Sequence, residues 1–89
     1  MKYYESMQSL IGKTPLVKLT HVGVPEGVNL FVKLELWNPS GSVKDRTGLY
    51  MVNDALAKGT LKPGGTIIEA TAGNTGLGIA FAALNRGVR

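Results

Sequence analysis

Cysteine does not occur in this chain, and histidine occurs once, at position 21. Disulfide frameworks and thiolate metal sites are therefore excluded, and His21 alone makes no histidine-rich metal site. Long apolar runs are missing too. No stretch approaches the length needed to span a bilayer, and the opening MKYYESMQSLIG lacks the continuous apolar core of a secretory signal. A cytoplasmic protein with no membrane partner is the expectation. Runs of one charge are also absent. The net charge is +4, but Lys2, Lys13, Lys18, Lys33, Lys58 and Lys62 stand singly among acids, with no basic and aromatic platform beside them. A nucleic-acid partner is not expected.

What is present is a folding composition, 44% hydrophobic and 18% charged with mean hydropathy +0.08, which excludes the highly charged disordered class. With 89 residues the chain forms at most one domain, or a piece of one.

Residues 5–12, ESMQSLIG, read as a short helix with Met7, Leu10 and Ile11 on one face and Gly12 as its stop. TPLVKLT (14–20) and VNLFVKLEL (28–36) read as strands, separated by a Gly- and Pro-marked turn containing His21. In the second, Leu30, Val32, Leu34 and Leu36 form an apolar face. A helix over 43–58 follows, with Leu49, Val52 and Leu56 at helical spacing. Ser42 suits its N-cap, Asp45 completes a Ser-x-x-Asp capping box, and Gly59 suits the left-handed position past its end. TIIEA (66–70) reads as a buried-type strand, and TAGNTG leads into a second helix over 75–86, stopped by Gly87. This order gives an α/β class, a βαβα unit of an open, mainly parallel sheet with the first helix as crossover. The second helix is apolar nearly all round and must be covered on more than one side. Val88 and Arg89 read as the start of another strand, so the chain is expected to be the N-terminal part of a longer protein.

Two stretches carry chemistry. TAGNTG places Thr71, Ala72, Gly73, Asn74 and Thr75 between a strand and a helix N-terminus, where free amides and the helix dipole attract an anion. Its spacing is neither that of a phosphate loop nor that of dinucleotide binding. The other stretch, NPSGSVKDR, puts Lys44 at the positive end of a helix, the wrong end for a cation. Alone, each reads as an ordinary turn and a solvated lysine. Together they follow strand ends that a βαβ unit sets side by side, where open α/β sheets bind ligands. Lys44 and Asn74 are then expected to face one crevice. A positive helix end and a partly dry crevice both disfavour a protonated amine, which would make Lys44 a better nucleophile toward an aldehyde.

With IGKTPLVKL, NPSGSVKDR and TAGNTGLGIA in this order and spacing, the chain resembles the N-terminal part of the cysteine synthase and cystathionine β-synthase family. These are pyridoxal 5'-phosphate enzymes of the tryptophan-synthase-β-like fold, fold type II. The resemblance covers nearly the whole chain. It implies that Lys44 would carry the cofactor as a Schiff base and serve as catalytic base. Asn74 would hydrogen-bond the cofactor's 3'-oxygen, and Thr71, Ala72, Gly73, Asn74 and Thr75 would bind the substrate carboxylate. The phosphate loop and second domain would lie in later sequence, leaving 1–89 as first strands (14–36), lysine helix (43–58), and substrate loop with its helix (70–86). The parent would be a homodimer.

The implied reaction is β-replacement on O-acetylserine or serine, with sulfide giving cysteine or homocysteine giving cystathionine. Most cysteine synthases carry serine where this loop has Ala72, and TAGNT resembles a subgroup that makes cystathionine. A serine or threonine dehydratase-type enzyme and an inactive fragment are the alternatives. Glu35 and Glu69 are expected in structural hydrogen bonds, Trp37 in packing, and His21 on the surface.

Overall fold

Valine, leucine and phenylalanine pair where the backbone finds a neighbour, and here that happens once. The structure, a computed structural model describing all residues from Met1 to Arg89, joins β1 (Leu16–Lys18) to β2 (Phe31–Lys33) in antiparallel register, Val17 opposite Val32. Backbone bonds from Leu19 to Leu30 (2.9 Å) and from Leu34 to Pro15 (3.0 Å) extend the pairing. Both strands are much shorter than the sequence suggests. A 3-10 turn at Glu35–Trp37 ends the second one, drawn in by Asn38, whose Nδ2 donates to the Glu35 carbonyl at 2.9 Å. The helix expected at 5–12 is a single 3-10 turn, Met7–Leu10. There Ser6 and Ser9 bond to each other's backbone and compete with a regular helix.

The two long elements are helices α1 (Lys44–Ala57) and α2 (Asn74–Ala83). Helix α1 falls within one residue of its expected bounds, and Gly59 takes the left-handed conformation past its end (φ +75°). Its start differs from the expected capping box. Ser42 Oγ does accept from the Lys44 amide (3.1 Å), but Asp45 turns to Ser40, accepting from its backbone N–H (2.8 Å) and its hydroxyl. Helix α2 stops earlier than Gly87, because Asn85 already occupies the left-handed region (φ 61°), which asparagine tolerates better than most residues.

The parallel βαβα sheet is not formed by these residues. β2 pairs only with β1, and 66–70 carries no assigned strand. That segment instead meets the chain end. Gly64 N donates to the Gly87 carbonyl (2.5 Å), Arg89 N to Gly65 (2.9 Å), and Ile67 N to Arg89. The alternation of the last two bonds about Arg89 is that of parallel pairing. A central strand needs a partner along each edge, and here one terminal tripeptide is all that adjoins it.

The helices cross where neither has a side chain. A Cβ on Gly48 would lie inside the Gly78 carbonyl, and a Cβ on Gly78 would lie inside the carbonyl of Lys44. Around this crossing sits the core of Val52, Leu61, Ile79 and Ala82, flanked by Leu49, Leu56 and Ile67. It is small. The accessible surface is 6613 Å² against about 5,000 Å² for a compact chain of this mass. The radius of gyration is 16.7 Å against about 12 Å. Helix α2 is covered on one side only, with Leu77 in it and Leu84 just past its end more than half exposed, and of the expected apolar face of the second strand Leu30 and Leu36 are exposed.

Candidate functional site

Lys44 is the first residue of α1. Its backbone is fixed on two sides: the amide by Ser42 Oγ, and the carbonyl by the bare Cα of Gly78. Its side chain is exposed and has neither a hydrogen-bond nor an ion-pair partner. The contact at Gly78 lies one helical turn, about 6 Å, beyond Asn74. The structure thus brings the lysine turn and the start of α2 together by a helix crossing, not by adjacent strand ends.

The loop before α2 is organised by Thr71. Its Oγ1 accepts from Gly73 N (3.3 Å) and Gly76 N (3.2 Å), and its methyl fills the space where Gly76 lacks a Cβ. The amides of Asn74 and Thr75 have no acceptor in the chain. They sit at the positive end of α2, the arrangement that attracts a carboxylate or phosphate. Thr71, Ala72, Gly73 and Asn74 are all exposed. The partly dry crevice expected between Lys44 and Asn74 is not formed, since neither residue lines any cavity. A shallow cleft of about 280 Å³ does touch the loop, lined by Ile67, Glu69, Thr71, Gly76, Ile79 and Arg89 among others.

Behind Lys44 stands a polar cluster whose wiring sequence reasoning missed. Arg46 grips Glu35 with two parallel bonds, Nε to Oε2 (2.8 Å) and Nη2 to Oε1 (2.9 Å). It also donates to the Gly12 carbonyl (3.0 Å) and Thr14 Oγ1 (3.1 Å). Thr14 and Asn38 complete the carboxylate, donating to Oε1 (2.9 Å) and Oε2 (2.8 Å). Asn38 Oδ1 in turn accepts from Gly12 N (2.8 Å). All four acceptor positions of Glu35 are filled. Bonding to Arg46 first, and to Thr14 and Asn38 after it, outweighs the opposing desolvation and lowers the carboxyl from 4.5 to about 2. The same pairing raises Arg46. With its oxygens held by Arg46, Thr14 and Asn38, Glu35 stands in structural hydrogen bonds, as expected.

Other expectations resolve differently. Glu69 is exposed and makes no hydrogen bond, and Trp37 is 64% exposed, not packed. His21 is exposed in a bend, as expected. There is no cluster of metal-ligating side chains, and no helix is long and apolar enough to cross a membrane. The residue types Gly12, Thr14, Glu35 and Arg46 stood in the sequence, but nothing in their spacing relates them.

Comparison with known proteins bears on this arrangement. The family described as pyridoxal-phosphate dependent enzyme matches residues 7–89. The chain is 52% identical over its whole length to an O-acetylserine dependent cystathionine beta-synthase of Bacillus subtilis, of which it spans 29%. It is 46% identical over 98% of its length to cysteine synthase 1 of Emericella nidulans, spanning 24% of that protein. Among solved structures, cystathionine beta-synthase from Bacillus anthracis superposes with a TM-score of 0.83 at 56% identity, covering all of this chain and 34% of that one. The chain therefore spans about a third or less of the relatives it matches.

Proposed function

Because this chain belongs to the family of pyridoxal-phosphate-dependent enzymes, we propose that it supplies the cofactor lysine and substrate loop of a β-replacement enzyme. That enzyme takes O-acetylserine or serine and joins its β-carbon to a thiol, sulfide giving cysteine or homocysteine giving cystathionine. The observation that carries this reading is the meeting of an unpartnered lysine with the start of a helix whose Asn74 and Thr75 amides are unpaired.

The residues present fit the group. A covalently held aldehyde cofactor needs a free primary amine on a fixed backbone, and Lys44 is exposed, unpaired and anchored at both its amide and its carbonyl. When bound, the cofactor supplies the electron sink that makes the Cα proton of an amino acid labile. The chain's own contribution is binding, orientation and proton movement. Asn74 and Thr75 hold the substrate carboxylate through their amides. Thr71 orders the loop with its lone pairs and keeps its hydroxyl proton to donate. Asn74 would also offer its side-chain amide to the cofactor. Lys44 would hold the cofactor through Nζ, and the same amine would serve as general base for the Cα proton. Ala72 brings no hydroxyl, so the loop relies on backbone donors. The likeness to an O-acetylserine dependent cystathionine beta-synthase supports homocysteine as the thiol.

The same reading makes residues 1–89 the first part of a fold type II enzyme, a cytoplasmic homodimer whose phosphate loop and second domain come from other sequence. The parallel hydrogen bonding of 65–67 with Arg89 supports a mainly parallel sheet in the whole protein.

The test is product analysis. The full-length enzyme receives O-acetylserine or serine with sulfide or homocysteine in turn, and the products are separated by mass. Cysteine or cystathionine is expected. Ketoacid released with no thioether or cysteine formed would overturn β-replacement. Borohydride reduction of the loaded enzyme should fix the cofactor mass on the Lys44 peptide and nowhere in Lys44→Ala.

A further inference from the structure

The residues flanking Lys44 are tied down more firmly than its place on a first helical turn requires. Asp45 is fully buried, with one oxygen on Ser40 N and the other on Ser40 Oγ. Arg46 reaches back across the fold to Gly12, Thr14 and Glu35. Glu35 belongs to the 3-10 turn that follows β2, so the ion pair connects the end of the hairpin to the lysine turn through two parallel bonds. Parallel bonds fix orientation as well as distance, because both the guanidinium and the carboxylate are planar. Gly12, at φ +84°, brings its carbonyl onto the guanidinium, and a Cβ there would sit 2.9 Å from Nη1. The IGKTP stretch thereby acts as the backstop of the pair.

We propose that Glu35 and Arg46 form a positioning pair for Lys44. Their bidentate ion pair, backed by Gly12 and Thr14, holds the first turn of α1 against Gly78 so that the lysine meets substrate in a fixed orientation. The inference rests on the reading of Lys44 as the cofactor lysine. Neither member of the pair touches the reacting atoms. Glu35 has no free acceptor site, and Arg46 commits Nε and Nη2 to protein groups, so their contribution reaches the reaction through the backbone of residue 44. A displacement of the reacting amine by about 1 Å is enough to cost roughly a hundredfold in rate. A lysine at position 46 would keep the charge and lose the second bond.

The experiment uses the full-length enzyme with Arg46→Lys, Glu35→Gln, the double variant, and the milder Thr14→Val. Thr14→Val removes one bond to each partner and little volume. Cofactor fixed on the Lys44 peptide by borohydride, kcat, KM for the amino-acid donor, and the urea midpoint are measured for each. The expected result is a fall in kcat of about tenfold or more in each single variant of the pair. KM should change less than about threefold, and the cofactor should still be trapped on Lys44. The double variant should be no slower than the slower single one, since both remove one device. Thr14→Val should lower kcat by a smaller factor with its urea midpoint nearly unchanged, which loss of stability alone would not produce. Unchanged kcat in Arg46→Lys, or effects that multiply in the double variant, overturns the proposal. If the pair variants do not fold, an unchanged kcat in Thr14→Val overturns it. Cofactor trapped on a lysine other than Lys44 in the unaltered enzyme overturns the underlying assignment of Lys44 instead, a result distinct from the others.

Discussion

Replacing Gly48 by alanine tests whether the helices meet as closely as the structure shows. On an exposed helix this change is favourable by about 1 kcal/mol, because alanine loses less backbone freedom than glycine. At position 48 the new methyl carbon would overlap the Gly78 carbonyl and stand 2.5 Å from Ile79 N. Both are backbone atoms, so no side chain can swing away, and ordinary contact demands that the helices part by about 1 Å. Overpacking of this kind costs about 1–3 kcal/mol and occasionally more. The rigidity of the obstacle puts Gly48 at the upper end, so the net effect is a loss of about 2 kcal/mol. With an m-value of about 1–3 kcal/mol/M, the urea midpoint should fall by about 0.7–2 M. Gly23→Ala serves as control, since a Cβ there meets nothing within 4 Å and the backbone is not left-handed, and it should be neutral. Gly78→Ala should act like Gly48→Ala, and the pair together should cost less than their sum, because helices already parted accept the second methyl. A midpoint that is unchanged or raised in Gly48→Ala would refute the close crossing and, with it, the seating of the Lys44 carbonyl on α2.

Acid stability should depend on Glu35. Its carboxyl titrates at about 2 in the folded chain and at 4.5 otherwise, so the unfolded chain binds the extra proton between those values and stability falls as pH drops through that window. In Glu35→Gln the loss of urea midpoint between about pH 5 and pH 3 should be visibly smaller, and an identical loss would sink this account. Asp45→Ala leaves the Ser40 amide and hydroxyl without their acceptor and should cost about 1.5–3 kcal/mol by thermal unfolding. A change below about 0.5 kcal/mol would contradict the burial of that carboxylate. Ala72→Ser adds a donor to the exposed loop and should lower KM for the amino-acid donor by about two- to tenfold. An unaltered KM would argue that the loop does not hold the substrate carboxylate.

The parts of this structure written in local sequence were legible. Ser42, the spacing of Leu49, Val52 and Leu56, and Gly59 bounded α1 within a residue, because caps and amphipathic spacing act over one turn. The end of α2 was misjudged because Gly87 is the usual left-handed residue, whereas Asn85 took that conformation first. The sheet was not legible. Pairing for Val32 or Ile68 depends on which strands are available elsewhere, and Ile68, 90% exposed, has none beside it. Lys44 and the loop from Thr71 to Thr75 stood out as residue types at helix starts. Arg46 did not, because its partners Gly12 and Thr14 are 34 and 32 positions away, and no local rule relates residues at that separation.

The route by which Lys44 and the loop meet has its own consequence. Strand ends set side by side would have left their separation to the twist and spacing of a sheet, which adjusts as strands are added. A glycine-on-glycine crossing leaves no such freedom, since the carbonyl of Lys44 rests on Gly78 and Gly48 on the next peptide. Arg46 then ties the same turn to the hairpin through Glu35. The backbone of residue 44 is thus constrained from α2 and from the turn after β2 at once, while its side chain remains unpaired. Rigid backbone with a free amine is the combination that a covalently held cofactor requires, because its orientation is inherited from the atoms that carry it.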